Sequence, residues 1–538
     1  DQAYAGRASS QDLEFADRYV THFLAGGALP DAELEFDLDT ELLARMRIED
    51  IVEALVGLRD GAELSAVVIG PDDGAIPSEA ALEATIEAAL NATIDPRPDQ
   101  AVIGDTLLAA PDPVAPAAVK NLPLGVTELV YPNGVRVLYV QTDISVNEVF
   151  MGAASPGGLS RVADEDVPEA FLIADIVGRS GAGAFDRVDL ETFLSGQVVS
   201  LFPYIDVTAE GLLGNSATED LETLMQLIHL TMVAPRADDA AAAAVIGEFR
   251  PFADSPEDIP GLASTLELIR QRWGDEPRYS IILDTEELDS FDIDAGRDVF
   301  RSRFGDAGDF VFSFAGDFSS ATFRNLADTY LGTLPGTDRD DAWLDFQPDP
   351  PSRVIDETVA VGDSEQGFVT FLFTGEFARD PQTDVQVELL TLIADVRLRD
   401  RIREALSATY SPFLSTTTVE EPDDLIETFL QVSGDPEALD EIVAESLATL
   451  RNLASEGPTD AELATARSQL ARQYELTSNE WWVEQMLFFA NHPDESLEGL
   501  FQRFAIIDET TVADIRELAA IAFPSSEYVL VRQVPRQP

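Results

Sequence analysis

Cysteine is absent from the 538-residue chain, histidine occurs three times, and Lys120 is the only lysine. Without cysteine there are no disulfides, no thiolate zinc sites and no cysteine nucleophile, and the lack suits a periplasmic protein as well as a cytosolic one. His22, His229 and His492 stand alone in the sequence, and no HxxEH or HExxH helix occurs. A zinc site needs about three or four converging ligands, normally with imidazole among them, so no metal ligand is expected in this chain. No stretch approaches the roughly 18 consecutive apolar residues of a membrane-spanning helix, and a membrane partner is not expected. The chain opens at Asp1 without a charged-then-apolar leader, which reads as a processed or excised product.

What is abundant is acid. There are 100 Asp and Glu against 34 Lys and Arg, a formal net charge of -66. Such a surface repels nucleic-acid backbones and anionic lipid, so nucleic acid is excluded as a partner. Self-repulsion on this scale is best tolerated where salt screens it, since the Debye length falls to about 3 Å at 1 M. The expected source is a salt-adapted bacterium. A hydrophobic fraction of 45% still provides for ordinary cores, and the length suits two or three domains.

A repeat organises the chain. Three segments run acidic start, amphipathic helix, short loop, apolar strand: 49–70 (helix IEDIVEALVGL, strand SAVVIG), 294–316 (AGRDVFRSRFG, FVFSFAG) and 508–534 (TTVADIRELAAIAF, YVLVRQV). In the last, Val512, Ile515, Leu518, Ala519 and Ala522 share one helical face. Spacings above 200 residues suit duplicated domains rather than a solenoid. The expected division is 1–75, the end of a preceding domain; 76–123, a helix capped by Ser78 and a Pro-rich linker; 124–346, one complete domain; and 353–538, a second. A Pro/Asp-rich joint at 347–352 separates the last two. Asn133-Gly134 within 127–140 is a hairpin signal, and Thr459 with Glu462 forms a capping box. Paired strands alternating with grouped helices give an α+β fold of antiparallel sheets packed with helices.

Few residues could carry chemistry. Arg179-Ser180-Gly181 resembles a nucleophile elbow only loosely, because G-x-S-x-G is missing. The run 178–183 lacks the P-loop lysine and the dinucleotide spacing. Acidic pairs such as Glu420-Glu421 are expected by chance among 100 carboxylates. One constellation rises above this background: a long helix bearing Arg397, Arg399, Arg401 and Arg403, with Tyr410 opening the next strand. A guanidinium and a phenol at one end of a sheet are the donors that hold a peptide carbonyl and stabilise its oxyanion. The competing reading has the arginines neutralising nearby acids and Tyr410 packing in the core.

At this point the residues resemble a known family. TELVYPNGVRV (127–137), the glycine turn Ser155-Pro156-Gly157-Gly158-Leu159-Ser160, the Arg-x6-Tyr element in RIREALSATYS, and Gly457-Pro458-Thr459 before an acidic-start helix are similar to pitrilysin/insulinase zinc metallopeptidases, in order and spacing over nearly the whole chain. The resemblance implies two homologous halves, each of two α+β domains, closing around an unfolded peptide. Zinc would lie in the first half, held by HxxEH. The C-terminal half would contribute Arg403 and Tyr410 to substrate binding. Phe171-Leu172-Ile173-Ala174-Asp175 stands where an active domain would carry HxxEH, and it has no ligands. This chain is then expected to be the non-catalytic C-terminal half. It would have no catalytic residue of its own, with partners in the zinc-bearing half or a homologous subunit and in extended peptides, and a periplasmic or secreted location. The alternatives are a non-proteolytic scaffold of the same fold and a free-standing peptide-binding module.

Overall fold

The computed structural model describes residues 12–60, 65–68, 76–93, 106–337, 339, 341–362, 366–406, 412–419, 423–475, 478–492, 496–500 and 502–536. They divide into two compact units, residues 1–104 and 105–538.

The first unit is helical: α1 (Asp12–Ala25), α2 (Ala32–Arg45), α3 (Ile48–Asp60) and α4 (Glu79–Leu90). Asp31 caps α2 by accepting from the Leu34 N–H, and Ser78 caps α4 by accepting from the Ala81 N–H, as expected. Of the strand expected at 65–70 after α3, the described part, 65–68, is not a strand. Residues 65–68 are irregular and exposed, and no described strand pairs with them. A single extended segment has no ladder to join, so its apolar residues do not specify a strand by themselves.

The second unit contains two sheets. The larger has the order β1-β2-β3-β9-β4-β8-β7, built from β1 (Ala118–Asn121), β2 (Thr127–Val130), β3 (Arg136–Gln141), β4 (Val149–Pro156), β7 (Val199–Ile205), β8 (Ala209–Ser216) and β9 (Val311–Gly316). Between β4 and β7, Gly181–Ala182 (β5) and Phe185–Asp186 (β6) form a small ribbon. The smaller sheet has the order β10-β14-β11-β13-β12, from β10 (Val354–Ala360), β11 (Gly367–Glu376), β12 (Phe413–Val419), β13 (Leu425–Gly434) and β14 (Tyr528–Val534). The 131–135 loop joins β2 and β3 as the Asn-Gly signal predicts. β1 pairs with β2 inside the stretch expected to be linker, so the sheet starts before residue 124.

The repeat is visible in the topology. β9 lies between β3, to which it is parallel, and β4, to which it is antiparallel. β14 lies likewise between β10, parallel, and β11, antiparallel. Each sheet is therefore antiparallel except at this one join. The helix before each of these strands, α9 (Ile293–Phe304) or α15 (Val512–Ala522), buries its apolar face in the core: Val299, Phe300 and Phe304 in one, Ile515, Leu518 and Ala519 in the other.

Alternation along the strands sends two apolar faces into two layers. Val137, Tyr139, Phe312 and Phe314 face the helices α5 (Val167–Gly178), α6 (Leu221–Val233), α7 (Asp239–Asp254), α9 and α10 (Ser320–Tyr330). Leu138, Val140, Val311 and Ala315 face the opposite way, onto Val483 and Met486 of α14 (Asn479–Asn491), a helix from the other end of the sequence. The smaller sheet mirrors this. Phe371, Phe373 and Leu430 pack on α11 (Pro381–Leu406), α12 (Leu439–Glu456), α13 (Asp460–Glu475) and α15, while Leu372, Val529 and Val531 pack on Leu268 of α8 (Leu262–Trp273). Each sheet is thus closed by a helix supplied from the other domain, an exchange the sequence-drawn boundaries at 346 and 353 do not anticipate. Polar bonds fix it: Ser264 Oγ meets Thr370 Oγ1 at 2.8 Å, and Arg136 donates to the Ala490 carbonyl at 3.1 Å.

The glycine turn after β4 has a physical reason. The Gly158 N–H donates to the fully buried Glu210 carboxylate at 2.7 Å, and Arg303 donates to the same carboxylate at 2.7 and 3.2 Å. Gly157 has φ 130°, and a Cβ there would lie 2.2 Å from Arg303 Nη2. Only glycine admits this buried ion pair.

Candidate substrate-binding site

α11 starts at Pro381 and buries Leu389, Leu390, Ile393, Ala394, Leu398 and Ile402 against the smaller sheet. Its arginines sit on other faces and meet different fates. Arg397 donates to both oxygens of Glu462, at 2.6 and 2.7 Å, and to the Gly457 carbonyl at 3.1 Å. Arg399 pairs with Asp395 one turn back, and Arg401 with Glu445 at 2.8 Å. These three neutralise neighbouring acids. Arg403, exposed in the last turn, has no carboxylate within ion-pair reach among the described residues. Tyr410, its expected companion, lies outside the described residues, and the strand expected to open at Tyr410 begins at Phe413.

Arg397 also accounts for the Gly457-Pro458-Thr459 motif. The Thr459 N–H and hydroxyl both donate to Glu462 Oε2 at 2.7 Å, and the Glu462 N–H returns a bond to Thr459 Oγ1 at 3.2 Å. This is the expected capping box. Arg397 above all, and then the Thr459 donors, hold the Glu462 carboxyl down at about 2. Arg397 and this corner brace α11, the helix that carries Arg403.

The histidines are engaged elsewhere. His229 is buried in α6 with Nδ1 2.8 Å from the Tyr330 carbonyl, His492 Nδ1 lies 2.7 Å from the Phe488 carbonyl, and His22 Nδ1 meets the Gly27 carbonyl. At the position expected for HxxEH, Leu172 and Ile173 are core residues of α5. No group of three or more His, Asp or Glu among the described residues could hold a metal ion. Among the described residues the donor set does not fit zinc. Ser180, of the loose elbow, is buried and structural: its Oγ donates to the Ile176 carbonyl at 2.6 Å and accepts from the Asp238 N–H at 2.9 Å.

One feature had no sequence signal. A cleft of about 440 Å³ opens between α8 and the strands β11, β13 and β12, lined by Leu268, Trp273, Tyr279, Thr417, Glu427 and Phe429 among others. Trp273 and Tyr279 stack at 5.7 Å. Burial pushes the Glu427 carboxyl up, opposed by the fully buried Arg272, whose Nε lies 3.1 Å away. Its walls come from segments far apart in sequence, which explains why no local pattern reveals it.

Residues 291–470 match the family described as the peptidase M16 inactive domain. A curated relative from Arabidopsis thaliana, "Zinc protease PQQL-like", is 23% identical over 90% of this chain and 50% of its own length. One from Haemophilus influenzae, "Probable zinc protease PqqL", is 20% identical over 67% of this chain and 39% of its own. The chain therefore spans half or less of the curated relatives it matches. The crystal structure of the periplasmic protease PqqL from Escherichia coli shares the fold with TM-score 0.70, 16% identity, 99% of this chain and 59% of that one. Residues 291–470 thus match the inactive domain of the M16 family, and the chain as a whole shares the α+β fold of the M16-type structures it resembles.

Proposed function

We propose that this chain is the substrate-gripping C-terminal half of a zinc metalloendopeptidase acting on extended peptides, with Arg403 and Tyr410 binding the peptide backbone and stabilising the oxyanion. The observation that carries the reading is the fate of the four arginines on α11: three are tied to carboxylates, while Arg403 stands exposed at the helix end with no carboxylate partner among the described residues. The family's inactive domain and the relatives described as zinc proteases support the assignment. Zinc would reside in a preceding half, and the similarity to a periplasmic protease supports a periplasmic location.

The test is reconstitution. Mixing the chain with its zinc-bearing half should restore peptide cleavage. Arg403→Ala and Tyr410→Phe should each then lower kcat about 10²-fold, as loss of an oxyanion donor does. Unchanged turnover in both variants would refute the roles.

A further inference from the structure

The two large sheets have four edges, and three of them are blunted. β1 is four residues long and carries Lys120, β7 contains Pro203, and β10 carries Asp356 and Glu357. Short length, proline and charge are the devices that keep an edge strand from pairing with another chain. The fourth edge, β12, reads FLSTTTV over seven residues, with no charge and no proline. In a chain of which 25% is charged, this run leaves its row of backbone N–H and C=O groups undefended. β12 pairs with β13 on one side, and among the described residues no strand pairs with the other.

The open edge borders the cleft beside α8. Alternation turns Leu414 toward the helices and puts Ser415, Thr417 and Val419 on the opposite face, where all three line the cleft. Phe413, on the same face and 62% exposed, packs edge-on against Phe429 of β13 at 6.1 Å. α8 covers β11 and β14, burying Leu372, Val529 and Val531. It stops short of the outer face of β13 and β12, where Phe429 is half-buried and Thr417 exposed. The resulting volume of about 440 Å³ falls within the range of roughly 300–1,000 Å³ found for ligand pockets. Ser415 and Thr417 are small. A strand added about 4.8 Å from β12 places every second side chain beside them, and a bulky one reaches over them into the cleft.

We propose that the β12 edge and this cleft together bind an extended basic peptide, which adds to the five-stranded sheet next to β12 and seats a bulky apolar side chain against Trp273, Tyr279 and Phe429. Charge selects the occupant. A second copy pairing edge to edge brings together two chains of formal charge -66, whereas a peptide bearing Lys or Arg is drawn to such a chain. Main-chain bonds to β12 supply affinity, and the cleft supplies preference at alternate positions. The proposal rests on the peptide-binding reading above for the class of ligand, and the site uses neither Arg403 nor Tyr410.

The test uses the full chain and the acetylated, amidated peptide Arg-Thr-Phe-Thr-Phe-Thr-Arg, whose two phenylalanines share one face of a strand. Hydrogen exchange in Phe413–Val419 should slow when the peptide is added. Thr417→Trp fills the cleft from an exposed position, so it should melt like the parent and bind at least about 10-fold more weakly. Replacing both phenylalanines of the peptide by alanine, or both arginines by glutamate, should weaken binding as much. Two further peptides, N-methylated on one or the other set of alternate residues, test strand pairing: one should bind and the other should not. Equal binding by these two, equal binding by Thr417→Trp, or an edge-to-edge dimer of the chain in sedimentation overturns the proposal. Cleavage by the reconstituted enzyme is read separately. Binding at β12 without cleavage refutes the peptidase reading and leaves this site intact, and cleavage without protection of β12 does the reverse.

Discussion

Arg397 and Glu462 are joined by two bonds, Nε–Oε1 at 2.6 Å and Nη2–Oε2 at 2.7 Å, tying the middle of the long helix α11 to the first turn of α13. The same carboxylate caps α13 through Thr459, so one acid serves two elements. This corner sits less than two turns from Arg403 along α11, and its stiffness bears on how firmly that guanidinium is presented.

Glu462→Gln should destabilise the protein by about 1–2 kcal/mol at pH 7, a figure reduced from the full pKa difference because the carboxylate is about a third exposed. The folded carboxyl titrates near 2, below its unfolded value of about 4.5. Its contribution is therefore complete above the unfolded value and is lost as pH falls toward 2. Denaturation of parent and variant at stepped pH should show the gap close between about pH 5 and 2. A gap independent of pH would contradict the ion pair.

The helix exchange makes a steric prediction at Gly152 of β4. A Cβ there would lie 2.8 Å from Val483 Cγ1 and 3.0 Å from Leu487 Cδ1, both on α14. Gly152→Val should cost about 1–3 kcal/mol by overpacking. Faster hydrogen exchange should be confined to Asn479–Asn491 and the strands beneath it. Unchanged exchange in α14 would mean the helix does not lie on that face.

The charge predicts a salt response. With a formal net charge of -66, raising sodium chloride from 0.1 to 1 M shortens the Debye length from about 10 Å to about 3 Å and removes most self-repulsion. The melting temperature should rise by at least about 2–4 °C, the equivalent of about 1 kcal/mol in a large domain. A constant or falling Tm would refute salt adaptation. Ion pairs such as Arg303–Glu210 are buried and should be little affected.

The elements most legible in sequence were those specified by local chemistry. The Asn133-Gly134 turn, the Ser78 cap, the Thr459–Glu462 capping box and the amphipathic helix before β14 each depend on residues within a few positions of one another, and all form where expected. The described part, 65–68, of the strand expected at 65–70 is irregular for the complementary reason. Its apolar residues match those of β9, yet a strand exists only when neighbours complete its ladder. Among the four arginines, spacing offers a partner to Arg399 alone, Asp395 one turn back, whereas the partners of Arg397 and Arg401, Glu462 and Glu445, are supplied by other helices.

Composition and short-range pattern thus determined by themselves the α+β class and the repeated order of amphipathic helix followed by apolar strand at 294–316 and 508–534. A carbon–carbon or donor–acceptor rule acting over a few residues is enough for each. The helix exchange and the buried Glu210–Arg303 pair behind the glycine turn were decided only in three dimensions. Each depends on atoms up to hundreds of residues apart being brought within a few ångströms, which no local pattern encodes.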